Sequence, residues 1–422
     1  MTATTGQASL ARPPATPTAT QVVVAGMVSL AVAMGIGRFA FTPLLPMMLA
    51  DGVVNLDASS WLASANYLGY LLGALLCTFQ PLLRRVFGIT QQPNGPALVR
   101  AGLAATALFT LGMALPIPSI WPALRFGAGI ASALVFVFAS GWCLAQFARL
   151  DMPSMGALIY VGPGAGIVLS GLAASLMVAW NGSAALGWSA FGMLAVALSA
   201  FIWPVFASGG APPGSAPTAV GHSATASATH ERRGEVPLFA GAYGLAGFGY
   251  IITATFLPVI ARQSIPGSPW LDLFWPIFGV GVMTGAALAS RIPGTGDQRV
   301  RLAACYFVQA LAILVGLWSP TPAGFAIGSL LLGLPFTAIT FFALQEARRL
   351  RPASPLGLTG LITALYGLGQ IVGPPLATAL LAGSAGTARG FAPSLEIAAA
   401  ALLLGAVVFA SMSRFYPVNR RQ

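Results

Sequence analysis

The sequence predicts an all-α membrane protein: twelve transmembrane helices in two six-helix bundles, with both termini in the cytoplasm. Three observations carry that prediction. Of the 422 residues, 57% are hydrophobic and 7% charged, with a mean hydropathy of +0.82. A soluble domain carries roughly 25% charged residues, so this chain has too few to cover a water-facing surface. The apolar residues gather into twelve runs, most of them longer than the ~20 helical residues that cross a bilayer. A single long polar stretch divides the runs six and six. Together these exclude a soluble enzyme, a nucleic-acid binder and a disordered regulator.

In chain order, residues 1–20 are rich in Ala, Thr and Pro and form an expected disordered tail. They lack a short apolar core with a small-residue cleavage site, so no removable signal peptide is expected. The first bundle, 21–207, holds expected spans at 22–49, 58–82, 97–115, 119–147, 154–180 and 184–206. Residues 208–236 carry Gly, Pro, Ser, Ala and Thr together with both histidines, His222 and His230, the composition of a flexible linker. The second bundle, 237–415, holds expected spans at 237–261, 269–290, 299–319, 323–346, 354–382 and 391–414, with a tail at 416–422. The surplus beyond the bilayer thickness leaves room for tilt.

Orientation comes from arginine, which supplies all 20 basic residues. With the N-terminus in the cytoplasm, 16 of them fall on cytoplasmic segments, two (Arg262 and Arg389) on outer loops, and two (Arg38 and Arg125) inside spans. This is a strong positive-inside bias. It accounts for the net charge of +11 without any nucleic acid. Cys77, Cys143 and Cys305 are odd in number and scattered through apolar runs, so neither a disulfide framework nor a metal site is expected. No cofactor is expected either.

A faint repeat relates the halves. Gly35-Ile-Gly37-Arg38, with Pro46 following, matches Gly247-Phe-Gly249-Tyr250, with Pro258 following, at a constant offset of 212. Gln146-Phe-Ala-Arg149 similarly resembles Gln345-Glu-Ala-Arg348. Gly-x-x-x-Gly pairs occur in spans 2 (Gly69, Gly73), 5 (Gly162, Gly166), 8 (Gly281, Gly285) and 11 (Gly369, Gly373). Such pairs let helix backbones approach closely, and the expectation is that they do so where the halves meet. Triplets of helices repeated within related halves are the plan of a rocking transporter.

The run Met34-Gly-Ile-Gly-Arg-Phe-Ala-Phe-Thr-Pro-Leu-Leu-Pro-Met-Met48 resembles the signature of the YbfB/YjiJ-like branch of the major facilitator superfamily (MFS). Gly249-Tyr-Ile-Ile-Thr-Ala-Thr-Phe-Leu-Pro258 is similar to that branch's second signature. The resemblance implies twelve helices, a cavity lined by spans 1, 4, 7 and 10, and secondary transport by alternating access. It implies no particular substrate. The Gly-x-x-x-Asp-Arg loop of the wider superfamily is replaced after span 2 by Gln80-Pro-Leu-Leu-Arg84-Arg85, and after span 8 only Leu288-Ala-Ser290-Arg291 remains. The charge relay attributed to that loop is therefore in doubt.

Arg38 lies near the middle of span 1, beyond easy reach of either headgroup layer. An arginine at that depth costs at least ~2.5–3.5 kcal/mol, so it should face water or a partner. It either binds an anion or bonds neighbouring carbonyls. Arg125 lies roughly 9 Å from the outer end of span 4 at 1.5 Å per residue, where it binds substrate or snorkels outward. No acidic residue is comparably deep, and Glu346 beside Arg348 and Arg349 reads as an ordinary surface ion pair. Two buried cations without a carboxylate point to an anionic organic solute.

Asn66 and Tyr70, with Gly69 and Gly73, and Tyr366 and Gln370, with Gly369 and Gly373, have the spacing of one helical face. Either set could bind substrate or pin helices together. Tyr160 and Tyr250 are single candidates, Tyr250 standing at the repeat position of Arg38. Pro43, Pro46 and Pro258 are candidate bend points. The expectation is a monomeric inner-membrane carrier of a small solute in a bacterium, with a proton or counter-solute as its possible co-substrate. The alternatives are efflux of drug-like amphipathic compounds, a polytopic membrane enzyme, or a non-transporting sensor. No catalytic residue is expected, since no cluster of His, Asp or Glu can be assembled near one membrane face.

Overall fold

The computed structural model describes residues 17–88, 90, 94–208, 234–292, 296–352, 355–383 and 390–417. Most of the expected 208–236 linker and of the expected tails, and both histidines, lie outside these residues. Among the described residues, twelve helical spans are long and apolar enough to cross a membrane. Spans 1 to 6 are Ala19–Ala50, Leu56–Val86, Gly95–Gly112, Pro118–Arg149, Met155–Ala179 and Ala184–Ala207. Spans 7 to 12 are Glu235–Ser264, Leu271–Arg291, Gln298–Trp318, Pro322–Leu350, Gly357–Gly383 and Ala392–Phe415. Local chemistry sets many of the ends. Thr18 forms a capping box with Gln21, and Asn55, Asn94, Asp297 and Thr321 each accept a bond from a first-turn amide.

With twelve crossings, both ends of the described chain lie on one face of the bundle, here called the terminal face. An ionic cluster there ties four spans of the second half. Arg299, fully buried, bonds Glu235 at 3.0 Å, both oxygens of Asp297 at 2.9 Å and the carbonyl of Tyr416 at 2.7 Å. Arg349 bonds Glu346 at 2.7 Å and Glu235 at 2.6 Å. Glu346 is completely buried, so it is no surface pair as the sequence suggested: it is enclosed between Arg299 and Arg349. Burial pushes the Asp297 carboxyl up, but the bonds and charge of Arg299 outweigh it and hold the group below the usual carboxylate range. On the opposite face, Asp51 accepts the Ala184 amide at 2.6 Å, and Arg262 pairs with Asp272.

The glycine pairs do pack backbones together, but inside each half. Gly69 and Gly73 lie against the backbone of span 4 at Phe126 and Ile130, and Gly162 and Gly166 against span 1 at Met27 and Ala31. In the second half, Gly281 and Gly285 meet span 10 at Leu330 and Leu334, and Gly369 meets span 7 at Phe248. Gly373 faces Ile251 of the same helix. Each pair thus lays spans 2, 5, 8 or 11 on one of spans 4, 1, 10 or 7. A helix flanking the seam needs one close-packed face for its own bundle. Between the halves, spans 2 and 11 and spans 5 and 8 pack side by side, while spans 4 and 10 make at most glancing contact.

Candidate functional site where the two bundles meet

Span 1 is not a continuous α-helix. Its backbone widens to a π-helix over Ala31–Ile36, with Gly37 and Phe39 amides bonding five residues back, and then turns through 37–40 before Phe41–Ala50 resumes. Pro43 has no amide proton and crowds the preceding turn, so the break lies just before it, while Pro46 is accommodated inside the regular segment. A break at bilayer depth leaves carbonyls that must be satisfied from elsewhere.

Arg125 does this. Its Nη1 donates to the Gly37 carbonyl at 3.3 Å and its Nη2 to the Arg38 carbonyl at 3.2 Å. The side chain is 2% exposed and turns inward toward span 1, with Phe41 and Trp188 rings near its guanidinium. It does not snorkel. Asn66 completes the brace, its Nδ2 donating to the Arg125 carbonyl at 2.9 Å.

The break turns Arg38 toward the other bundle. Its Nη2 donates to Oε1 of Gln370 at 2.7 Å, and Nε2 of Gln370 donates in turn to the Tyr250 hydroxyl. Arg38 and Tyr250, related by the repeat offset, are therefore the two ends of one hydrogen-bonded chain through span 11. The guanidinium lies 4.1 Å from the Tyr70 ring centre, 5.1 Å from Tyr67 and 5.4 Å from Phe39, each a cation–π contact. Arg38 is 3% exposed, and its Nε–H has no partner among the described residues. None of the ion pairs among those residues involves it. Its charge rests on a carboxamide and aromatic faces, with no carboxylate.

Aromatic rings form the neighbouring wall. Tyr366 stacks on Tyr243 at 5.1 Å and on Tyr250 at 5.9 Å, and Phe336 meets Tyr250 and Phe39 edge-on. Tyr160 belongs to a different wall, its ring 6.0 Å from Phe136. The half-exposed positions Tyr70, Phe136, Tyr160 and Tyr366 contrast with fully buried Phe39, Phe41 and Tyr250. Sequence reasoning missed Tyr67, Tyr243 and Phe336. Tyr243 was open to detection, being seven residues before Tyr250 and so on the same helical face.

Several polar bonds between the bundles, among the described residues, stand at this level or nearer the opposite face. Thr42 donates to the Ala254 carbonyl at 2.9 Å, and these positions are also 212 apart. Tyr67 and Thr255 hydroxyls are 2.9 Å apart, Ser64 donates to the Ile371 carbonyl at 2.7 Å, and Thr378 to Ser60 at 3.3 Å. Ser175 reaches the Asp272 carbonyl at 2.9 Å. Where spans 1 and 7 converge, residues equivalent under the repeat touch one another, as they must near a two-fold pseudo-axis.

A two-bundle, twelve-helix membrane protein with a polar centre at the bundle interface is a transporter of the major facilitator type. The chain belongs to the family described as uncharacterised MFS-type transporter YbfB, whose profile matches residues 30–410. In fold it is similar to the nucleoside transporter NupG. A single-substitution variant of that protein superposes with a TM-score of 0.69 at 14% identity, covering 93% of this chain and 99% of the other. A second NupG structure gives 0.65 at 15% identity over 93% and 98%. No curated protein matches the chain by sequence. The chain is thus a multi-pass membrane transporter for a small molecule.

Proposed function

We propose that this transporter moves a small organic anion by alternating access, and that Arg38 is the residue that receives it. The observation that carries the reading is that, of two buried guanidiniums without a counter-ion or an Nε–H partner among the described residues, only that of Arg38 reaches the facing bundle, Arg125 spending its outer nitrogens on span 1 carbonyls. A carboxylate or phosphate would supply both, and a planar guanidinium edge is suited to receive it. Gln370 and Tyr250 would follow the anion, because they already share the arginine's hydrogen-bond chain. Arg125 and Asn66 act behind the site, holding the broken backbone that aims Arg38.

The bonds among Thr42, Ser60, Ser64, Tyr67 and the second half close the opposite face, whereas spans 4 and 10 make at most glancing contact. The arginine distribution supports a cytoplasmic terminal face in a bacterial inner membrane. On that reading the conformation is inward-facing. No carboxylate or histidine among the described residues stands at mid-membrane depth, so coupling by a protonated solute or by exchange fits better than a titrating relay. The expected assembly is a monomer.

The Tyr243–Tyr366–Tyr250 stack supports a second reading, a neutral aromatic solute such as a nucleoside, the solute of the transporter NupG. Thermal-shift measurements on purified protein against organic anions, nucleosides, sugars and cationic drugs separate the two. A ligand at 100 times its Kd adds about 2.7 kcal/mol of stability. Stabilisation by an anion that disappears in Arg38→Gln supports the first reading; stabilisation by nucleosides that persists in that variant replaces it with the second. Counterflow of the stabilising solute in proteoliposomes then shows transport.

A further inference from the structure

Arg38 is 3% exposed and Gln370 2%, so no solute reaches the guanidinium until something moves away from it. Its own bundle covers it with ring faces alone, those of Phe39, Tyr67 and Tyr70. Among the described residues, the hydrogen bond to its charged group comes from the other bundle, where Oε1 of Gln370 accepts from Nη2 at 2.7 Å. An arriving anion and the Gln370 side chain therefore compete for one nitrogen.

The neighbours of that side chain fix its orientation. Arginine offers only donors, so the carboxamide oxygen faces Arg38 and the NH2 group is left for the Tyr250 hydroxyl. A planar, trigonal group on span 11 thus bridges a guanidinium on span 1 and a hydroxyl on span 7. A carboxylate has the same planar shape and adds the negative charge that a carboxamide lacks. Tyr250 accepts in this bridge, and its own proton is free to turn toward a second oxygen once the NH2 group leaves. The Tyr70 ring beside Arg38 and the Tyr366 ring beside Tyr250 flank the two ends.

We infer that Gln370 stands in for the carboxylate of the solute, and that solute and side chain exclude one another at Arg38. This rests on the anion reading above and narrows it to carboxylates, one oxygen meeting Arg38 and the other Tyr250. A tetrahedral phosphate or sulfonate does not match the planar bridge. The carboxylate displaces the carboxamide because a bond between two ionised groups is stronger than one in which the acceptor is neutral. Without solute, the carboxamide keeps the buried guanidinium from standing wholly unpaired. Gln370 belongs to the second bundle, so each arrival of solute breaks a mid-membrane bond between the halves, and each departure restores it.

Phenylglyoxal, which modifies accessible arginines, is applied to the full-length protein in lipid nanodiscs, and adducts are quantified by mass spectrometry. Exposed Arg149 serves as the rate standard, and buried Arg125 reports any loss of fold. Gln370→Met keeps the bulk but removes both polar atoms. It is expected to speed modification of Arg38 about tenfold, the lower worth of one hydrogen bond to a charged group, with Arg125 still protected. Benzoate is expected to protect Arg38 in the unmutated protein, and at about tenfold lower concentration in Gln370→Met. Benzenesulfonate, with the same ring and a tetrahedral head, is expected to protect less well in both. Gln370→Glu, isosteric and carrying a permanent counter-ion, is expected to slow modification of Arg38 and to abolish thermal stabilisation by benzoate. Should Gln370→Met expose Arg125 as well, Gln370→Glu decides: modification of Arg38 at the unmutated rate overturns the stand-in role. The same role is overturned, with the anion reading intact, if benzoate protects Gln370→Met no better than the unmutated protein. Equal protection by benzenesulfonate overturns the restriction to carboxylates, and protection by neither anion in any of the proteins overturns the anion reading itself.

Discussion

Arg38 and Arg125 are chemically the same side chain at similar burial, and their surroundings divide the work between them. Arg125 uses its two outer nitrogens on the Gly37 and Arg38 carbonyls, a fixed task that needs a forked donor. Arg125→Ala is therefore expected to destabilise the protein by roughly 3 kcal/mol, since two buried carbonyls lose their donor. Arg125→Lys recovers only part of this. Thermal unfolding of the purified variants measures both. Arg38 bonds a single carboxamide and otherwise lies against rings. Arg38→Gln is expected to abolish solute uptake while shifting the thermal midpoint by only a few degrees, the opposite profile to Arg125→Ala. Sequence reasoning could single out both arginines because each interrupts a long apolar run. It could not tell which was the brace, because that depends on where the carbonyls of a broken helix point.

At the scale of the helix, close approach is bought with glycine, and its cost is testable. A methyl group at Gly285 would run into the Leu334 carbonyl, and one at Gly166 into the backbone of span 1. Gly285→Ala and Gly166→Ala are each expected to destabilise by about 1–3 kcal/mol through overpacking. Gly241, in span 7 with open space around its Cα, is the control, and Gly241→Ala is expected to stabilise by up to about 1 kcal/mol. Fluorescence-detected melting of the three variants reads the difference. The sequence pattern showed which helices carry close-packed faces, because Gly-x-x-x-Gly spacing is local. It did not show that the faces turn into their own bundles, since each pair could serve either seam equally well.

The Glu235–Asp297–Arg299–Glu346–Arg349 cluster joins spans 7, 9 and 10, and the Arg299 bond to the Tyr416 carbonyl ties in span 12, so protonation of Asp297 acts on the whole bundle. Asp297 is held below its ordinary value, so its contribution is fully present above the unfolded carboxylate pKa near ~4. It is lost as pH falls through the lower folded value. Stability is expected to be level from neutrality to about pH 5 and to fall below about pH 4. Asp297→Asn should flatten part of that fall in melts recorded across the range. Rocking of the halves requires the bonds at the opposite face to part. Ser60→Cys with Thr378→Cys places two thiols where hydroxyls stand 3.3 Å apart, within reach of a disulfide. Oxidation of this pair is expected to stop uptake and dithiothreitol to restore it, with each single variant unaffected; a cross-linked protein that still transports would refute the opening of this seam.

The sequence by itself determined the number of spans, the existence of two related halves, and the presence of positive charge at mid-membrane. Each is a local property, since apolar run length, a repeat offset and the identity of one residue within a run need no partner to be read. Even the ends agree closely, because caps such as Asn55 and Asp297 stand at the edge of the runs they close. Only the tertiary structure decided the rest: that Gln370 joins Arg38 to Tyr250, and that Glu346 is enclosed among charges. These depend on which faces of distant helices meet, and lipid-exposed and bundle-facing residues are nearly equally apolar, so composition leaves the faces unmarked.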